Sequence, residues 1–126
     1  MNFGRTIVGF LAAAAAAFPA PGGAQDAAAG EAAFRRICAV CHNPTPDGPA
    51  KLGPSLFRVV GRKAGTLDGY RFSAAKRDPD LFWTAERLDP YLANPREFMP
   101  GTSMAYAGLK NDAERANVIA YLRTLK

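Results

Sequence analysis

The chain has 126 residues, room for one domain only, and its 16 Lys and Arg against 11 Asp and Glu leave a modest basic excess. The basic residues are arginine-rich and spread along the chain, which argues against nucleic-acid binding and leaves an anionic protein or membrane surface compatible. No internal repeat is visible.

The first residues read as an export signal. Arg5 supplies a positive start, Thr6 to Ala17 run without a charge, and Phe18-Pro19-Ala20 breaks the run before Gly22, Gly23 and Ala24. Cleavage is expected after Ala24, which makes residues 1–24 a signal peptide, residues 25–126 the mature domain, and the periplasm its location. A retained anchor is the alternative, but the run is short and weakly apolar for a membrane span. A domain of this size gains from a bound cofactor that adds apolar volume to its core.

Ala27 to Val40 is Ala-rich, and Ala33, Phe34 and Ile37 share one face, so a helix is expected there with Asp26 as its cap. Its end carries Cys38-Ala39-Val40-Cys41-His42, which contains both cysteines and the single histidine. This is the attachment pattern of a c-type haem: two thiols add to the porphyrin vinyl groups and the adjacent imidazole binds iron. A redox dithiol would want alternating strands and helices around it, and a zinc site lacks further soft ligands.

Prolines at 44, 46, 49 and 54 forbid regular structure from Asn43 to Pro54. Leu56 to Val60 has strand character, but Gly61, Gly65 and Gly69 turn residues 55–72 into a compact loop. A short helical turn follows near Ser73 to Arg77, with Ser73 as cap. Thr84 is placed to cap a helix that buries Leu88, Tyr91 and Leu92 and ends before Pro95. Asp112 to Thr124 forms an amphipathic helix with Val118, Ile119, Tyr121 and Leu122 on one side. The result is three or four helices joined by ordered loop.

A haem on His42 has one further iron position, and its occupant sets the chemistry. A thioether there closes the site and favours electron transfer, whereas an open site favours binding or oxidation. After the signal, Met99 and Met104 are the two thioethers available. A methionine is more often core filler than a ligand.

From Asn94-Pro95 through Pro100-Gly101-Thr102-Ser103-Met104 to Ala107-Gly108-Leu109-Lys110, the chain closely resembles class I cytochrome c. Gly53-Pro54-Ser55-Leu56, Gly61-Arg62-Lys63-Ala64-Gly65, Trp83 and Ile119-Ala120-Tyr121-Leu122 fall in that family's order. The resemblance covers residues 28–125. It implies an all-α fold with crossed first and last helices, one or two further helices, and ordered loops wrapping one haem c bonded to Cys38 and Cys41. It also implies His42 and Met104 as iron ligands, with Met99 packing beside the haem. Pro54 would accept a hydrogen bond from His42, Arg62 and Trp83 would bond a buried haem propionate, and Tyr91 would approach the Met104 sulfur. Thr102 and Asn94 would brace the ligand loop. Gly30 and Phe34 would cross Val118 and Tyr121.

Three departures limit the inheritance. Phe72 stands where the family usually has a tyrosine hydroxyl on a propionate, and Tyr70 is expected to point elsewhere. Lys76 replaces an interior asparagine. The lysine ring that docks the mitochondrial protein is thin here, reading Ala32, Ile37, Lys51, Arg96, Glu97, Ser103 and Lys110. The function implied is a monomeric, soluble electron carrier that meets a cytochrome bc-type reductase, a terminal oxidase or a dehydrogenase transiently. No nucleophile–base constellation points to an enzyme. The alternatives are a subunit held permanently by one redox enzyme, or a peroxidase or gas-binding haem module.

Overall fold

The computed structural model describes residues 25–126, and the expected signal peptide lies outside the described residues. Among the described residues four α-helices form: α1 Ala27–Ile37, α2 Ala85–Ala93, α3 Pro95–Phe98 and α4 Asp112–Thr124, with a 3₁₀ turn at Ala74–Arg77. Among the described residues the only sheet-like pairing is an isolated antiparallel bridge between Lys63 and Phe82.

The frame is the crossing of α1 and α4. Asp26 accepts from the amides of Ala28 and Ala29, satisfying orphan donors of the first turn, while its own amide donates to Asn117 Oδ1 at 2.9 Å. A Cβ on Gly30 would lie 1.9 Å from the Asn117 carbonyl oxygen, so only glycine permits this approach. Phe34 and Val118 are fully buried at the contact, and the Phe34 and Tyr121 rings lie 5.2 Å apart. The Arg36 guanidinium pairs with Glu114 across the same crossing.

Helix α1 stops three residues earlier than the sequence pattern suggests. The Phe34 carbonyl accepts from both Cys38 and Ala39, which widens the last turn and ends the helix, and the Cys38 carbonyl then accepts from Cys41 and His42. The haem-attachment pentapeptide is therefore a pair of turns rather than the tail of the helix.

Helix α2 starts as expected, with Thr84 Oγ1 accepting from the Arg87 amide, and it buries Leu88 and Tyr91. Pro90 sits inside it, and α3 begins afresh at Pro95, where a missing amide proton costs nothing. Helix α4 matches its expected bounds and is capped by Asn111, whose Oδ1 accepts from Glu114 N at 2.9 Å. Arg115 on α4 is buried. It donates to Asp89 on α2, to Asp112 and to the Leu109 carbonyl, which ties α2, α4 and the loop before α4 together. Residues 55–72 form the expected loop, and pairing of Ala64 with Leu81 and of Arg62 with Trp83 seats the Trp83 ring in the core.

Candidate functional site

The helices and loops enclose a cavity of about 540 Å³, within the size range of cofactor sites. Its lining brings together Cys38, Cys41, His42, Pro54, Arg62, Trp83, Tyr91 and Met104, eight of the nine expected site residues. Thr102, the ninth, stands behind the wall and accepts from the Met104 amide at 3.3 Å.

His42 is held by its neighbours in sequence and space. Its Nδ1 lies 2.8 Å from the Pro54 carbonyl, an acceptor only, so Nδ1 carries the proton and Nε2 keeps its lone pair. A Cβ on Gly53 would sit 2.4 Å from the imidazole Cε1, so this position cradles the ring. Burial pushes the His42 pKa down, with the positive charges of Lys76 and Lys51 adding to it, against the raising effect of the Pro54 bond. The neutral ring that results is the metal-binding form. Cys38 and Cys41 are free thiols. Burial first, and Cys41 second, push the Cys38 thiol up to about 11 before any bond to a cofactor is made. Among the described residues no cluster of three or more His, Cys, Asp or Glu could hold a metal ion, which leaves the zinc reading without a site.

Met104 lies on a loop pinned at both ends. Thr102 N donates to the Met99 carbonyl at one end, and Leu109 N donates to the Leu92 carbonyl at the other. Gly108 lies against the Ala93 carbonyl with φ +106°, where a Cβ would approach to 2.1 Å. The Tyr91 hydroxyl donates to Met104 Sδ at 3.5 Å. Burial pushes Tyr91 up to about 12, so it keeps this proton throughout the physiological range. Met99 is buried in the core and is not among the residues that line the cavity. Asn94 bonds Glu97 at the start of α3 and braces the α2–α3 junction rather than the ligand loop itself.

The far part of the lining is polar. Arg62 donates to the carbonyls of Ser55 and Phe57, and burial lowers its pKa. Tyr70 lines the cavity after all, with its hydroxyl on the Leu52 carbonyl at 3.0 Å and its ring edge-on to Phe72. Trp83 packs 4.6 Å from Tyr91. Ser73 caps the 3₁₀ turn by backbone geometry alone. Its buried Oγ makes no cap bond and has no hydrogen-bond partner among the described residues. Val40 and Leu52 line the cavity while remaining 70% and 81% exposed, so they form an apolar rim beside Ile37. Sequence reading named Gly53, Ser73 and Ile37 but missed the cradle role of Gly53, the cavity position of Ser73 and the extension of the rim to Val40 and Leu52. Gly53 alone carried a signal, as the glycine before the proline that orients His42.

A largely apolar cavity with two thiols, a neutral imidazole, a thioether and an orphaned buried hydroxyl fits a haem with its carboxylates. The relatives agree. Residues 27–126 match the family described as Cytochrome c. The chain is 53% identical over 79 residues to a cytochrome c of Trypanosoma brucei brucei, covering 63% of this chain and 85% of that one. It is 47% identical over 100 residues to the Rhodobacter capsulatus cytochrome c-type cyt cy, covering 79% of this chain. It spans about half (49%) of that relative's length. The solved structure of cytochrome cH from Methylobacterium extorquens superposes with a TM-score of 0.72 at 43% identity, over 79% of this chain and 98% of that one. The chain belongs to the cytochrome c family of electron-transfer haem proteins, with haem c bonded covalently to Cys38 and Cys41.

Proposed function

We propose that the mature domain, residues 25–126, is a soluble periplasmic one-electron carrier whose haem iron is ligated by His42 and Met104. When bound, haem supplies an Fe(III)/Fe(II) couple. The observation that carries the reading is that His42 and Met104 face one cavity, each fixed by a hydrogen bond from or to a second residue. Pro54 orients the imidazole and raises its basicity through Nδ1, which leaves Nε2 for iron. Tyr91 and Thr102 hold the thioether and its backbone in place, so neither ligand has to move when the oxidation state changes. Arg62 and Trp83 stand at the polar end, where a buried carboxylate needs donors.

Ile37, Val40 and Leu52 give partners an apolar face at the cavity rim. A cytochrome bc-type reductase, a terminal oxidase or a dehydrogenase would dock there briefly, because a shuttle must leave. The exposure of Val40 and Leu52 also favours a second reading, a subunit held permanently by one such enzyme. Gel filtration of a native extract separates them: elution as a small monomer supports the shuttle, and co-elution with a large complex supports the subunit. Intact mass of the exported protein tests the rest. It should equal residues 25–126 plus one haem, and its ferric spectrum should carry the weak far-red band of thioether–iron ligation. Absence of that band at neutral pH removes Met104 as ligand.

A further inference from the structure

Lys76 is the most unusual charge in this molecule. It is 9% exposed, it lines the haem cavity, and its Nζ makes no hydrogen bond or ion pair among the described residues. Its surroundings are the faces of Tyr91 and Trp83, with Nζ 5.1 Å and 6.0 Å from the ring centroids. Ring faces attract a cation but do not replace the hydrogen bonds an ammonium loses on leaving water. The cavity lining holds a second cation, Arg62, and no Asp or Glu. The balancing negative charge therefore has to arrive with the occupant.

A short turn carries Lys76 on the cavity wall. Ser73 and Lys76 are three apart on a 3₁₀ turn closed by Lys76 N donating to the Ser73 carbonyl at 3.1 Å. Ser73 is the extended N-cap of that turn, and both residues line the cavity. Among the described residues Ser73 Oγ is buried without a hydrogen-bond partner, and Lys76 Nζ has the two ring faces beside it.

We propose that Lys76 is the counter-ion of a haem propionate. The ion pair supplies the donor that Phe72 cannot, having no hydroxyl. It also tunes the iron, because neutralising a propionate removes a negative charge that would favour Fe(III), so the pair holds the reduction potential up. The proposal rests on haem occupying this cavity.

Lys76→Met and Lys76→Gln test it in holoprotein; Met keeps the length and apolar stem of the side chain, and Gln provides a second neutral variant. Covalent haem in both variants, read from mass and Soret absorption, keeps a failure of this proposal distinct from a failure of the haem assignment. The midpoint potential should fall in each variant. Removing any cation near iron would lower it, so redox-difference infrared spectra with ¹³C-labelled propionates decide the matter. The labelled carboxylate band should shift in the variants, or a neutral-acid carbonyl band should appear. Labelled bands unchanged from wild type would overturn the proposal, whatever the potential does.

Discussion

The close approach of α1 and α4 at Gly30 offers the sharpest structural test. In Gly30→Ala the added Cβ would meet the Asn117 carbonyl oxygen at 1.9 Å and the Tyr121 Cβ at 3.0 Å. Ordinary contact begins near 3.4 Å, so α1 and α4 must separate by more than 1 Å. Neither element has slack, because Phe34, Val118 and Tyr121 are packed around the crossing and Asp26 is bonded to Asn117. Overpacking of this kind costs about 3 kcal/mol or more when the colliding atom is backbone. Better helix propensity returns up to about 1 kcal/mol. The net loss is about 2–3 kcal/mol, a fall in Tm of about 10–20 °C for a domain of this size. Guanidinium unfolding of the ferric holoprotein, followed by Trp83 fluorescence, measures it. A Gly30→Ala protein within about 0.5 kcal/mol of wild type would refute the close crossing.

Three further substitutions test the site and its scaffold. Met104→Ala should abolish the far-red band, whereas Met99→Leu, a volume-conserving change in the core, should keep it and cost under about 1.5 kcal/mol; loss of the band in Met99→Leu would move the ligand to Met99. Gly53→Ala should push the imidazole off its Pro54 bond, since the new Cβ lies 2.4 Å from Cε1; magnetic circular dichroism should detect a high-spin fraction, and a wholly low-spin ferric protein would contradict the cradle. Arg115→Met should cost about 1–3 kcal/mol in guanidinium unfolding. The Leu109 carbonyl loses its donor, but Asp89 and Asp112 are 51% and 90% exposed at the side chain and rehydrate easily. A loss beyond about 5 kcal/mol would mean that the carboxylates are not solvated.

Features encoded by neighbours in sequence were the legible ones. The caps at Asp26 and Thr84, the bounds of α4 and the haem pentapeptide all depend on residues within a turn of each other. Gly30, Pro54 and Tyr91 were placed through the family resemblance, and each then met its expected partner. What escaped depends on tertiary context. Arg115 reads as one more exposed arginine on a helix until Asp89 and the Leu109 carbonyl close around it. The end of α1 was overshot because Ala39 and Val40 suit a helix, and a shared Phe34 carbonyl ends it instead. Ser73 looked like a capping hydroxyl, yet its side chain makes no cap bond and its Oγ is buried without a partner among the described residues. The asparagine-to-lysine change at 76 was visible as a departure, but its meaning depends on a cavity with two cations and no carboxylate of its own.

The central claim is that His42 and Met104 together hold an iron that exchanges one electron. Optical redox titration of the holoprotein, run beside Met104→Ala, tests it most directly. Wild type should follow a single one-electron Nernst curve, with the far-red band present when oxidised and gone when reduced. Met104→Ala should lack the band and titrate at a clearly lower potential, since a thioether ligand raises it. A wild-type ferric protein without the band, or a potential unmoved by the loss of Met104, would contradict the account.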